Sequence, residues 1–399
     1  MARARGVRVW IVGGAPRDSL LGLPWLDADV AVAGDAEALA RDLEALGFGR
    51  AIAISRATPR VFRVAGKTPL DLAEIEGGSI EADLARRDFT ANAVAIDLES
   101  GRWIDPFGGA RDAIQRRLRL VRESNLAEDP LRVFRAARLY ATHGLRPDRR
   151  TLEACRRAGS GLARVAPERL QAEVAKLLEA SEVGRAFGWA ERAGLLSRAF
   201  GLRRPAGRWR RAARNLARLD PMLGRPSALP DRMSLRLAAI ALGLRLSPRQ
   251  AMRWLGARRF SRAQAGSLAR LLDAVRAARA ARSADARWAW VHDAGPAACN
   301  ALALLERIDG QSGRRVARRL RRLLERQRSR PRVAGADLIE WLGVSTGPAI
   351  GRLLREVRIA VLRGDIRSRA QARRWAVERG TGARTAQIPK IVRPSVRSS

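Results

Sequence analysis

Two aspartates one residue apart, Asp27 and Asp29, follow closely on the run VGGAPRD at 12–18, and this order of residues limits the local fold more than anything else in the chain. VRVWIV at 7–12 is a β-branched, apolar run of strand length. Gly13-Gly14 breaks it, RDSLLG at 17–22 can begin a helix, and DADVAV at 27–32 alternates as a half-buried strand does. Side chains along a strand repeat every second residue, so Asp27 and Asp29 emerge on one face, with carboxylates close enough to share divalent metal. Magnesium prefers hard oxygen ligands and keeps waters, so two carboxylates plus nucleotide phosphates would complete its sphere. Two metals held in this way could activate an attacking hydroxyl and steady a leaving pyrophosphate. The Gly13-Gly14 turn lets backbone N–H groups approach a triphosphate, with Arg17 beside it as counter-charge. Taken singly, an Asp-x-Asp is more often a solvated edge and a Gly-Gly more often a plain turn. Strand, Gly-Gly, Arg, helix and then a strand with paired acids together point to metal-dependent nucleotidyl transfer.

VGGAPRDSLLG followed by DADV resembles the head of the class II tRNA nucleotidyltransferase and poly(A) polymerase family, a branch of the polymerase-β-like nucleotidyltransferases. Further matches come in the family's order: DLARRDFTANAVAIDL at 83–98, WIDPFGGARD at 103–112, EDPLRVFRAARL at 128–139, PERLQAEVAKLL at 167–178 and GADLIEWLGVSTGPAIGRLL at 335–354. The likeness is dense up to about residue 180 and looser beyond. It implies an α+β protein, in which a nucleotidyltransferase head with a mixed sheet precedes an all-helical neck, body and tail. It also implies roles. Gly14 and Arg17 would contact the incoming nucleotide, and Asp27 and Asp29 would carry Mg²⁺ and catalysis. Arg87 would bind phosphate or couple head to neck, and Asn92 would brace the site. Asp129 and Arg132, with Arg135 and Arg138 nearby, would serve as a protein template that reads the base edge of CTP or ATP.

The residues support the last assignment by themselves. If 130–140 is helical, three ridges result: Asp129-Arg132-Arg135-Arg138, Pro130-Val133-Ala136-Leu139 and Leu131-Phe134-Ala137-Tyr140. Only the first is charged. A helix apolar on its other two ridges is largely packed, so its arginine row is expected to face a cleft or a ligand. Arginine's planar fork of donors suits base edges and phosphates, and an acid can accept from an exocyclic amine. An ordinary amphipathic helix with Asp129 as N-cap and Pro130 at its first position is the plainer alternative.

Charge is consistent with a polyanionic partner. Lys and Arg number 77 against 40 acids among 399 residues, a formal charge of +37. Such an excess favours RNA, with an attraction that falls steeply with salt. Nearly all of it is arginine, with lysine only at Lys67, Lys176 and Lys390, and GC-rich coding accounts for Arg in place of Lys but not for the excess over acids. Cys155 and Cys299 are too few for a disulfide framework or zinc site, and His143 and His292 too few for a metal-phosphohydrolase cluster. MARARGVRVW has no long apolar core for export and no run approaches membrane-spanning length. A cytoplasmic protein that uses tRNA, CTP and ATP is therefore expected, with no membrane partner and with its oligomeric state open.

Texture divides the chain. Strand-like runs at 7–12, 30–32, 51–55, 61–64 and 94–98 belong to a head at 1–110, and helical patterns dominate afterwards. A neck with the template helix is expected at 111–200, a helical body at 201–330, and a helical, tRNA-binding tail at 331–380. The polar stretch 381–399 is read as disordered. One departure from the family stands out. Its long mobile segment after the third head strand is replaced here by a direct passage from Leu72 through Glu76-Gly77-Gly78-Ser79 to Asp83. In the family this segment is tied to switching from cytidine to adenosine addition, so its trimming puts terminal A addition in doubt. The expected function is Mg²⁺-dependent, template-free addition of C and A to the tRNA 3′ end, with CC addition alone, poly(A) synthesis and a catalytically inactive RNA binder as the alternatives. Asp71, on that strand, stands where related superfamilies place a third carboxylate, although a surface acid is an equal reading.

Overall fold

A computed structural model of the protein describes residues 5–55, 59–223, 231–327, 333–344 and 346–384. Its N-terminal part is a mixed sheet of β1 (Arg8–Val12), β2 (Ala28–Ala33), β3 (Arg50–Ser55), β4 (Val61–Ala65), β5 (Leu70–Glu74), β6 (Ala95–Asp97) and β7 (Trp103–Ile104). Their spatial order is β3-β4-β5-β2-β1-β6-β7, so β2 is central. It runs antiparallel to β1 and parallel to β5, and the register sets Asp29 opposite Val12 on one side and Asp71 on the other.

Alternation on β2 explains why both faces of the sheet are covered. Val30 and Val32 point to one face, where they pack with Phe62, Val64 and Leu72 against Leu39 and Ala40 of helix α2 (Ala36–Ala45). Ala31 points to the other with Trp10, Val12 and Ala95, beneath Ile80 and Leu84 of helix α3 (Ile80–Ala85). Helix α1 (Gly14–Leu20) links β1 to β2. Both α2 and α3 start where a side chain can take up free backbone N–H groups. Asp35 accepts from Glu37 N and Ala38 N, and Ser79 Oγ accepts from Ala82 N. Asp29 shares its side of the strand with Ala31 but lies near the strand's open end, and Asp27 stands just before the strand begins.

Helices follow: α4 (Gly109–Ile114), α5 (Ser124–Glu128), α6 (Leu131–His143), α7 (Arg149–Ala158) and α8 (Pro167–Glu179). After α8 come α9 (Val183–Arg192), α10 (Leu196–Ala199), α11 (Ala206–Leu223), α12 (Arg232–Leu244) and α13 (Pro248–Ala257). Helix α6 is the structural hub among them. Leu131, Val133, Phe134, Ala136, Ala137, Leu139 and Ala141 are buried, whereas Arg132, Arg135 and Arg138 are half-buried. Phe134 is fully enclosed and meets Phe200 edge-on at 6.4 Å, in an aromatic cluster with Phe187, Trp209 and Trp254. The helix stops at Gly144, whose φ of 66° is the left-handed conformation of a helix terminus.

Two compact units divide the chain, one of residues 1–246 with 253–262, the other of 247–252 with 263–399. The stretches 1–110 and 111–200 fall in the first, 331–380 in the second, and 201–330 contributes to both. The second unit contains α14 (Arg262–Ala280) from residue 263 onward, α15 (Ala284–Ala294), α16 (Ala298–Ile308), α17 (Gly310–Gln327), α18 (Gly335–Leu342), α19 (Pro348–Arg363) and α20 (Arg369–Arg384). Leu338, Val357, Val361, Ile366, Ala372 and Ala376 form the core of its last three helices. Helix α20 extends through residues 381–384, into the polar stretch expected to be disordered. Once a helix is nucleated each added residue gains a hydrogen bond, so it runs past a polar composition. Residues 385–399 lie outside those described. Among the described residues no helix is long and apolar enough to cross a membrane.

Candidate active site

A cavity of about 520 Å³ opens where the end of β1, the start of β2, the segment after α3 and the exposed flank of α6 come together. Gly13, Gly14, Arg17, Asp27, Asp29, Arg87, Asn92, Arg132, Arg135 and Arg138 all line it. These residues are scattered over more than a hundred positions of sequence, and the fold brings them to one place.

The Gly-Gly turn is shaped by the acids behind it. Gly13 has φ 76° and ψ −119°, a conformation that glycine adopts freely and residues with a Cβ rarely do. A Cβ there would collide with Asp29 Oδ2 and come within 3.0 Å of Arg87 Nη1. Asp29 therefore lies tight against the turn while retaining solvent access. Among the described residues neither Asp27 nor Asp29 has a hydrogen-bonding or ion-pairing side-chain partner. Burial pushes the Asp29 carboxyl above the usual carboxylate range; Arg87 opposes this, and neighbouring Asp71 and Asp27 add to it. An anionic pair of this kind, without a protein cation bound to it, is a fit receptor for a divalent cation. Among the described residues no group of three or more acid, histidine or cysteine side chains could hold a metal, so the protein would offer two carboxylates and leave the other positions to water and substrate. Asp71 is turned to other use: Arg63 grips it through two contacts of 2.7 Å.

The cations of the cavity are braced by acids that sequence reasoning missed. Asp88, only 4% exposed, accepts from Phe89 N at 2.8 Å, Asn92 Nδ2 at 3.0 Å and Arg135 Nη1 at 2.9 Å. Asn92 Oδ1 in turn accepts from Arg17 Nη1 at 2.6 Å. An unbroken chain Arg17–Asn92–Asp88–Arg135 thus ties the glycine turn to α6. Burial works against the Asp88 anion, but the Arg135 charge and these hydrogen bonds prevail and hold the carboxyl below the usual range. Glu173 of α8 takes Arg138 Nε at 2.7 Å. Arg87 leans on Asp83 at 3.2 Å, and Arg86 pairs with Glu76. Arg132 donates to the Asn125 carbonyl at 2.9 Å, and Lys176 projects into the cavity without an ion-pair partner among the described residues.

A signal for two of these acids was present. Glu173 occupies the apolar stripe Leu170-Glu173-Val174-Leu177 of α8, where an acid needs a partner to be buried. Asp88 directly precedes Phe89, Thr90 and Ala91, all of them buried. Asp129 is the one expected site residue that the fold does not place on the cavity wall. Its carboxylate accepts from Leu131 N at 3.2 Å, in the manner of an N-terminal cap, and from Arg169 at 3.1 Å.

Comparison with known proteins bears on the whole chain. Residues 9–119 match the poly A polymerase head domain, and residues 144–201 match the probable RNA and SrmB-binding site of polymerase A. A CC-adding tRNA nucleotidyltransferase of Geobacter sulfurreducens is 30% identical over 95% of this chain and 94% of its own length. Another, of Shouchella clausii, is 35% identical across 48% of this chain; there the match spans half of the relative's length (50%). Among solved structures, the CCA-adding enzyme of Bacillus stearothermophilus in complex with CTP superposes with a TM-score of 0.73 at 27% identity, covering 97% of this chain and 96% of that one.

Proposed function

Because the chain belongs to the tRNA nucleotidyltransferase and poly(A) polymerase family, we propose that it extends the 3′ end of tRNA without a nucleic-acid template, adding two cytidines from CTP. The observation that carries this reading is the single cavity shared by the Gly13-Gly14 turn, the unpaired acids Asp27 and Asp29, and the arginine row of α6. Asp27 and Asp29 would hold Mg²⁺, which when bound supplies activation of the 3′-hydroxyl and neutralises charge on the leaving pyrophosphate. The turn lets phosphates approach the backbone, and Arg17 and Arg87 provide the counter-charge. Arg132 faces the base edge, with Asp129 at the head of the same helix. Arg135 and Arg138, held at fixed angles by Asp88 and Glu173, present their remaining donors to base or phosphate. The excess of 77 basic over 40 acidic residues suits a tRNA held by its phosphates, in the cytoplasm where that substrate is found.

The restriction to cytidine is supported by the passage from β5 to α3. Gly77 and Gly78 have φ of 77° and 78°, Ser79 already caps α3, and Glu76 is paired to Arg86. Residues 75–79 form a tight turn with little length to re-aim a nucleotide pocket from cytosine to adenine. Wild type, Asp27→Ala and Asp29→Ala should be given tRNA lacking its terminal triplet, with CTP and ATP, and the products sequenced. The expected result is two added cytidines for wild type and none for either variant, with tRNA affinity within a few-fold. Efficient completion to C-C-A would overturn the cytidine restriction, long A tails from ATP alone would make it a poly(A) polymerase, and no incorporation by wild type would leave an RNA-binding relative.

A further inference from the structure

Arg17 is the most deeply set cation of the cavity, 6% exposed. A guanidinium has five N–H donors fixed in one plane, so their destinations can be followed one by one. Nε and Nη2 lie 2.9 and 2.8 Å from Asp18 Oδ1, Nη1 donates to Asn92 Oδ1 at 2.6 Å, and Nη2 meets His143 Nε2 at 3.1 Å. These contacts engage Nε, Nη1 and Nη2 with protein and leave the second N–H of Nη1 for a substrate oxygen.

His143 is the last residue of α6, beside Thr142. Thr142 Oγ1 donates to the Arg138 carbonyl at 2.9 Å and lies 2.6 Å from His143 Nδ1. With the hydroxyl hydrogen on that carbonyl, the tautomer that fits both contacts carries its hydrogen on Nδ1 and offers the Nε2 lone pair to Arg17. On the nucleotidyl-transfer reading, we infer that His143 is a positioning residue for catalysis: as a neutral acceptor it aims the remaining Arg17 N–H at the nucleotide phosphates, and protonation undoes that aim. A proton on Nε2 would face the Arg17 donor, and its available acceptor is Asp18 Oδ1 at 3.2 Å, already engaged by Arg17. Arg17 and Asp18 of α1 and Arg138 of α6 are the charged groups acting on the ring, while Arg116 donates to the His143 carbonyl at 2.6 Å. Burial and the two arginines disfavour the imidazolium, against Asp18, so the neutral form prevails at neutral pH.

The test uses the full chain, with kcat and KM for CTP and equilibrium CTP binding measured from about pH 5.5 to 8.5, around the ordinary imidazole value. Wild type should show KM and Kd rising as pH falls through the lowered His143 value, below about 6.5. His143→Gln, whose amide oxygen can accept in place of Nε2 without titrating, should match wild type at pH 8 and lose the acid rise. His143→Leu should raise KM on the order of tenfold at pH 8, the effect of one lost hydrogen bond to a charged group, and leave kcat close to wild type. An acid rise retained in His143→Gln overturns the role of His143, and so does an unchanged KM in folded His143→Leu. Should His143→Leu fail to fold, His143→Gln decides alone. A wild-type chain that neither binds nor incorporates CTP sinks the nucleotidyl-transfer reading and this role with it, whereas an active wild type with an unaltered Gln profile sinks only this role.

Discussion

Replacing Asp88 by Asn keeps the shape of the side chain and removes the charge that clamps α6 to the head. In the native chain three donors converge on this carboxylate, and Arg135 supplies the ionic one at 2.9 Å. Breaking a buried pair by removing one partner costs about 3–5 kcal/mol. Two features reduce that figure here. The Arg135 side chain keeps 28% of its exposure, and Glu173 Oε1 lies 3.9 Å from its Nε as a substitute partner. The expected loss is therefore about 2 kcal/mol. Urea denaturation of wild type, Asp88→Asn, Arg135→Gln and the double variant, compared over the transition that the first substitution shifts, isolates the pair as a coupling energy. Its pH dependence has a definite sign. A carboxyl held below its ordinary value contributes stability that is complete above about pH 4 and is lost as pH falls through the depressed native value. The gap between wild type and Asp88→Asn should accordingly narrow on acidification below about pH 4. A coupling energy below about 0.5 kcal/mol at pH 7, the range of an exposed ion pair, or a gap that widens in acid, would refute the reasoning.

Gly13→Ala should lose about 1–2 kcal/mol of stability from its left-handed backbone and far more in activity, because the new methyl group displaces Asp29; incorporation should fall at least about 100-fold, and near-wild-type turnover would show that the turn can yield. Arg132→Ala should blur discrimination among CTP, ATP, UTP and GTP by roughly 1–3 kcal/mol, more than it slows the best reaction. Asp129→Ala distinguishes two roles: loss of base selectivity would mean that Arg169 releases the carboxylate during the reaction, and a stability loss alone would mean that it serves only as a cap.

Short-range chemistry accounts for what the sequence alone could decide. The runs at 7–12, 30–32, 51–55, 61–64 and 94–98 all overlap observed strands, because β-branched runs bounded by Gly or polar residues leave the backbone few alternatives. The arginine ridge of α6 was readable for a similar reason: a period of 3.6 residues fixes which side chains share a flank, and apolar neighbours on the other ridges force that flank toward a cleft. The side on which Asp27 and Asp29 lie followed from a period of two.

Which partner meets which flank was decided only by the tertiary structure. Arg135 finds Asp88 from 47 positions earlier, Arg138 finds Glu173 from 35 later, and Arg17 finds Asn92 and His143 across 75 and 126 positions. Asp129 is drawn to Arg169, which no spacing rule selects, whereas Asp71 meets Arg63, its direct cross-strand neighbour between β4 and β5. The continuation of α20 through 381–384 likewise escaped a reading based on composition. Periodicity assigns a residue to a face, but a buried charge takes whichever partner the packing of separate elements brings within about 3 Å, and that packing is settled by apolar contacts such as Phe134 among its aromatic neighbours, far from the charges it positions.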